Sequence, residues 1–217
     1  MAALNVKLPA VKQSFYASTD IPQIKTQLSI ITRLYSGLVG IISKATKVPA
    51  ELIYAFMFIE SRGEQDAYNS GSGATGLMQV TPFSATDIVV MENRAGRLTE
   101  PEKAILYRNL GKEKFDTLMG YTQLGQKQVI TKDDLFKPEL NILVGAILMG
   151  ILIDEHTEGG TTRLDKVVVR YNMGYYAYSK GSSLTGNINN IMVDMNTQSK
   201  NYILQLLGTN GILDILV

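Results

Sequence analysis

Between Pro49 and Ile59 the chain is strongly apolar, then breaks on Glu60-Ser61-Arg62 and enters a polar, glycine-rich stretch that lasts to Gly76. An apolar run of this length with proline at its start predicts a buried helix. The glycines and small polar residues that follow predict a loop. Ile53, Phe56, Met57 and Glu60 recur at three and four residues, so they share one helical face. A carboxylate beside such neighbours loses hydration, which disfavours its charged form and raises its pKa. That is how a glutamate becomes a general acid. On local chemistry alone, a glutamate that merely ends the helix in water stays equally open.

The rest of the chain also reads as helical. Ile24, Leu28, Ile31, Leu34, Tyr35, Leu38, Ile41 and Ile42 recur at helical spacing, with Lys25, Arg33 and Lys44 off the stripe. This predicts an amphipathic helix over 24–42 that packs on the core of its own domain, with a partner-binding or membrane-lying helix as the alternative. Pro82 opens a short helix. Thr99-Glu100-Pro101-Glu102 has capping-box spacing with proline in the first turn, so a helix runs to about Asn109 and stops at Gly111. A second short helix follows over Lys112–Met119, and 121–131 reads as loop. The run from Ile142 to Ile153 is about a dozen residues, where roughly twenty would span a bilayer. It reads as a buried central helix over 139–153, and the chain as one without a transmembrane segment. Helices over about 162–171 and 194–207 follow, separated by a Gly/Ser/Asn-rich loop at 179–190. The apolar tail GILDILV must pack somewhere. Strand signals are scarce, so the expected fold class is mainly α.

At 217 residues the chain suits one substantial domain with a small accessory segment. A net charge of +1 gives no strong electrostatic case for nucleic acid or an anionic membrane. With no cysteine there are neither disulfides nor thiolate metal sites. The single histidine, His156, follows Asp154-Glu155 without ligand partners at metal spacing, and reads as a solvated residue at a helix end. No metal or cofactor is expected. The N-terminus has no basic start leading into a sustained apolar core, so no secretory signal is expected.

Three blocks then bear on function. ESRG…NSGSGATGLMQVTPFSAT, from Glu60 onward, resembles the signature of the soluble lytic transglycosylases of the lysozyme-like superfamily: ES-R, a short serine-containing loop, then GLMQ. DLFKPELNILVGAIL (Asp134 to Leu148) resembles that family's "DL-x-x-P-x-x-NI-x-x-G" helix start. VVVRYNMGYYAY (Val167 to Tyr178) resembles its "AYN-x-G" segment, and Tyr202 is a weaker match to its late tyrosine. The resemblance covers about 48–86, 134–150 and 167–178 in order. It implies a mainly α, lysozyme-like (goose-type) domain over 46–217, preceded by an arm and amphipathic helix over 1–45. A segment at about 87–132 is left unexplained by the family blocks.

The resemblance also implies a reaction: cleavage of the β-1,4 bond between N-acetylmuramic acid and N-acetylglucosamine in peptidoglycan, closing a 1,6-anhydromuramyl end. Glu60 would act first as acid, then as base toward the muramyl 6-hydroxyl. Hydrolysis would ask for a second carboxylate, and the nearby Glu64, Asp66 and Asp87 read as solvated loop residues. Ser70, or Asn69 given one extra residue in the loop, would bind the N-acetyl group. Gln79, donor and acceptor at once, would bind sugar hydroxyls and acetamido groups. Tyr171 and Asn172 match the "YN" pair, with Tyr171 bonding Glu60 or the leaving oxygen. Met78 would form the groove floor. Arg170, where the family has a small residue, and Tyr175, Tyr176 and Tyr178 after Gly174 depart from the pattern.

Two rivals stay open: a hydrolytic muramidase, and a virion structural or interaction protein that keeps the fold. With no export signal expected, the route to peptidoglycan would be carriage within a phage particle, alongside other virion proteins, or release through a lesion.

Overall fold

The computed structural model describes residues 6–7, 11, 13–125, 127–173, 192 and 196–216. They are mainly helical, and they fall into two compact units, residues 1–29 with 149–217 and residues 30–148. The helices are α1 (Ile21–Thr46), α2 (Ala50–Ser61), α3 (Pro82–Arg94), α4 (Glu100–Gly120), α5 (Lys132–Leu135), α6 (Pro138–Glu155), α7 (Leu164–Met173), α8 (Thr197–Leu207) and α9 (Ile212–Leu216).

In the 30–148 unit the expected periodicities are realised as packing. The α1 residues Ile31, Tyr35, Val39 and Ile42 are buried. Val39 lies off the expected stripe, while Leu34 and Ile41, which belong to it, are exposed, so the core takes a narrower and rotated face of the helix. Every residue of α2 from Leu52 to Phe58 is buried, as a helix apolar on all sides must be. The same holds for Leu140–Met149 in α6. The capping box forms as read: the Thr99 amide donates to Glu102 Oε2 at 2.6 Å, and the Glu102 amide donates to Thr99 Oγ1 at 3.4 Å. Gly111 sits inside α4 with φ 77° and ψ 169°. It divides the element into the two helical stretches that the sequence indicates.

The segment at 87–132 is tied into its own unit by specific bonds. Thr86 Oγ1 accepts the amides of Val129 and Ile130 at 3.2 and 3.1 Å. Asp87 Oδ1 accepts the Gly125 amide at 2.9 Å. Asp87 is therefore a buried residue of α3, which corrects its reading as a solvated loop carboxylate. The helical turn from Pro82 turns it inward, where the 121–131 loop needs an acceptor. From α4, Arg108 pairs with Glu139 and Lys114 with Asp134. Asn109 Nδ2 donates to Glu139 Oε2 at 2.8 Å. Both acids lie in the DLFKPEL block, so α4 is clamped to the start of α5 and α6.

Burial alone would raise the Asp134 carboxyl, but bonds from Lys114, the Thr131 amide and hydroxyl, and Lys137 outweigh it and hold it at about 2. Its ordinary value is 3.8. A carboxyl lowered on folding stabilises the protein above the unfolded value, and that contribution fades as pH falls from about 4 toward 2. Discounted for the solvent around both lysines, it amounts to about 1–2 kcal/mol. Asp134→Asn is expected to lose about this much stability near pH 7 in urea unfolding, and much less near pH 2.

The other unit holds the strands, for which sequence signals were scarce. β1 (Val6–Lys7) pairs in parallel with β3 (Thr161–Arg163), which pairs antiparallel with β2 (Thr157–Glu158). They are two or three residues long, too short to show an alternating pattern. β3 also takes the residues expected to begin α7, which starts at Leu164. The Arg163 guanidinium bonds Asp165 Oδ1 and Oδ2 at 3.0 and 2.7 Å. The apolar tail does pack: Ile212 and Leu213 of α9 are buried.

His156 is half-buried, and its Nε2 is buried with no hydrogen-bond partner among the described residues. This corrects the solvated reading. The chain folds back after it, and the Arg163 amide bonds the His156 carbonyl at 2.9 Å. Burial first, then Arg170 and Lys166, hold its pKa below the ordinary histidine value. Arg170, a departure from the family pattern, is mostly buried and reaches Glu155 at 3.2 Å. Residues 179–190, and Gly174, Tyr175, Tyr176 and Tyr178, lie outside the described residues.

Candidate active site

Glu60 stands in the last turn of α2, half-buried, one turn beyond the fully buried Phe56 and Met57. The helix stops directly after it. Arg62 takes the left-handed conformation at φ 57°; its amide returns to the Phe58 carbonyl at 3.1 Å, and the Gly63 amide to that of Met57 at 3.3 Å. A side chain other than glycine pays roughly 1–2 kcal/mol for that conformation. The Arg62 guanidinium lies 4.2 Å from the centre of the Phe58 ring, a cation–π contact that offsets part of the strain. Gly63 follows at φ 81°, where an added Cβ would stand 2.5 Å from Ile31 Cγ1. Glycine is required there by both conformation and space.

Ser61 joins this helix end to the GLMQ loop. Its Oγ lies 2.9 Å from the Leu77 carbonyl and 3.1 Å from that of Met57, and it accepts the Gly63 amide at 3.2 Å. The residue after the glutamate thus fixes the loop that carries Gln79.

The loop itself is bonded from several sides. Tyr68 and Val80 each form a bridge with Thr75. Gln79 has φ 47°, and its Nε2 donates to the carbonyls of Gly76 at 3.0 Å and Ala67 at 3.3 Å. Sequence reasoning offered Gln79 as donor and acceptor together. The structure engages the Nε2 donor within the loop.

Beneath the loop lies Asn141, completely buried. Its Oδ1 accepts the Met78 amide at 2.7 Å, and its Nδ2 donates to the carbonyls of Thr75 at 2.8 Å and Leu135 at 2.9 Å. Gly76, at φ 75°, leaves the space this requires, since a Cβ there would stand 2.4 Å from Asn141 Nδ2. Sequence reasoning quoted Asn141 within a motif and gave it no role. The signal was a lone amide at the start of an otherwise apolar helix, a polar group that must find partners when buried.

Met78 is also fully buried, and a Cβ on Gly145 would lie 2.7 Å from its Cβ. This corrects its assignment as a substrate contact: it supports the loop from the core, and its side chain reaches no open surface. Ser70 is exposed in the loop. Asn69, the alternative, spends its Oδ1 on the amides of Gly71 at 3.0 Å and Ser72 at 3.2 Å. Glu64 and Asp66 are exposed. Tyr171, buried, and Asn172, half-buried, belong to the last turns of α7 in the other compact unit.

Residues 38–123 match the family described as Transglycosylase SLT domain. The match falls inside the 30–148 unit and includes Glu60, Ser61, Ser70 and Gln79. No curated protein and no solved structure matches the chain.

Proposed function

From a chain whose residues 38–123 form a transglycosylase SLT domain of the lysozyme-like superfamily, we propose a lytic transglycosylase in which Glu60 is the sole catalytic acid. The family acts on peptidoglycan, and the reading here concerns the chemistry. The Glu60 carboxyl gives its proton to the glycosidic oxygen leaving with N-acetylglucosamine. The bond from that oxygen to the muramyl anomeric carbon breaks, leaving an oxocarbenium-like centre. Glu60, now a carboxylate, takes the proton of the muramyl 6-hydroxyl as that oxygen closes on the anomeric carbon. The products are a 1,6-anhydromuramyl end and a free 4-hydroxyl. The nucleophile is already tethered, so it acts at high effective concentration and no water need be positioned.

The observation that supports this most is the placement of Glu60: half-buried on an apolar helix end, within the unit whose loop carries Gln79. Inverting or retaining hydrolysis would need a second carboxylate. Of the three nearby acids, Glu64 and Asp66 face solvent and Asp87 holds the Gly125 amide, which favours the single-acid route over the muramidase. In the same reading, the exposed Ser70 hydroxyl and the Gln79 Oε1 receive the acetamido N–H and hydroxyl donors of the glycan. By the YN resemblance alone, Tyr171 and Asn172 of α7 are carried as further sugar-binding residues.

Mass spectrometry of the muropeptides released from purified sacculi tests the proposal. Fragments lighter by one water than reducing ends are expected. Reducing ends alone would assign the hydrolytic muramidase instead.

A further inference from the structure

We infer that the outward face of α1 seats the protein on an anionic phospholipid surface. Ile30, Leu34 and Ile41 are 36%, 62% and 52% exposed, unusually open for large aliphatic side chains on a helix whose other face is core. With Gly37 they fall within about 60° of one another around the helix axis. Among the described residues, a Cβ on Gly37 or on Gly40 would meet no atom within 4 Å, so nothing described covers the stripe at Gly37.

The charge around the stripe is of one sign. Between Ile21 and Pro49 the chain carries Lys25, Arg33, Lys44 and Lys47 and no acid, although its overall charge is only +1. Arg33 and Lys44 border the stripe along one edge, within about 40° of its nearest members. Apolar side chains flanked by cations suit the boundary between lipid headgroups and acyl chains.

Two other occupants fit less well. By length and composition alone the segment Ser18–Thr46 is apolar enough to cross a bilayer. Crossing, however, would pull Ile31, Val39 and Ile42, each 1% exposed or less, out of the core. The helix therefore lies on a membrane and does not span it. A second copy packed antiparallel through the same stripe, about a two-fold axis perpendicular to the helices, would bring each Arg33–Lys44 edge toward another of like charge, which opposes that contact.

The test is co-sedimentation of the full chain with vesicles of phosphatidylcholine, with or without about a third phosphatidylglycerol. Binding to the anionic vesicles is expected at least roughly tenfold tighter than to the neutral ones, and weakened by salt. Leu34→Glu with Ile41→Glu should reduce it about tenfold or more. Both positions are exposed, and thermal melting checks that the variant folds. Arg33→Gln with Lys44→Gln, which leaves the apolar stripe intact, should remove the preference for anionic lipid. The inference is overturned if the wild type ignores anionic vesicles, binds both kinds equally, or keeps its binding in both variants. It is also overturned if sedimentation velocity shows a wild-type dimer that Leu34→Glu with Ile41→Glu makes monomeric.

Discussion

Replacing Glu60 by glutamine should lower glycan-strand cleavage by about a hundredfold or more while leaving the fold in place. The amide has nearly the same size and keeps a polar group at the end of α2, but it cannot deliver a proton. General acid catalysis is typically worth two to four orders of magnitude, so a hundredfold is the lower edge, roughly 2.7 kcal/mol of barrier. Glu64→Gln and Asp66→Asn supply the comparison, because both acids face solvent in the loop just beyond. Neither should change the rate more than about threefold, the range of ordinary surface substitutions. Zymography with embedded sacculi, read beside thermal melts of each variant, makes the measurement. Equal clearing by wild type and Glu60→Gln would remove this residue from the chemistry.

The second large effect belongs to a residue with no exposed surface. Asn141→Leu keeps the number and branching of the side-chain heavy atoms but leaves the Met78 amide and the carbonyls of Thr75 and Leu135 without their partner. A buried polar group left unbonded costs about 1–3 kcal/mol. Allowing for relaxation, a loss near 3 kcal/mol is expected, or roughly 6–12 °C in melting temperature for a protein of this size. The damage is local to the GLMQ loop, so cleavage should fall further than the folded fraction does. Rates measured well below the new melting temperature, where the variant is fully folded, separate the two effects. Asn141 is a positioning residue in this account. Full activity in a folded Asn141→Leu would show that the loop holds Gln79 without it.

The contrast between these two residues explains how much of the molecule could be read from the chain. Glu60 is legible because the helix before it is apolar and the loop after it is glycine-rich, both local features. The helices were legible for the same reason: Thr99 and Glu102 cap α4 by the spacing that announces them, and Gly111 divides it where glycine is expected to. What escaped depends on distant partners. Asn141 meets residues 63 and 66 positions away. Asp87 is buried because the Gly125 amide arrives from another loop. His156 is shielded by a return of the chain through strands too short to leave a pattern. Gln79 shows the limit most clearly: the sequence shows an amide suited to sugars, but not that its Nε2 closes the loop on Ala67 and Gly76.

Digestion of sacculi in heavy-oxygen water puts the chemistry to its plainest trial. If a proton from Glu60 frees one sugar while the muramyl hydroxyl takes its place, no solvent oxygen enters any newly made end. Label appearing at those ends would mean that water did the attacking, and the single-carboxylate account would fail.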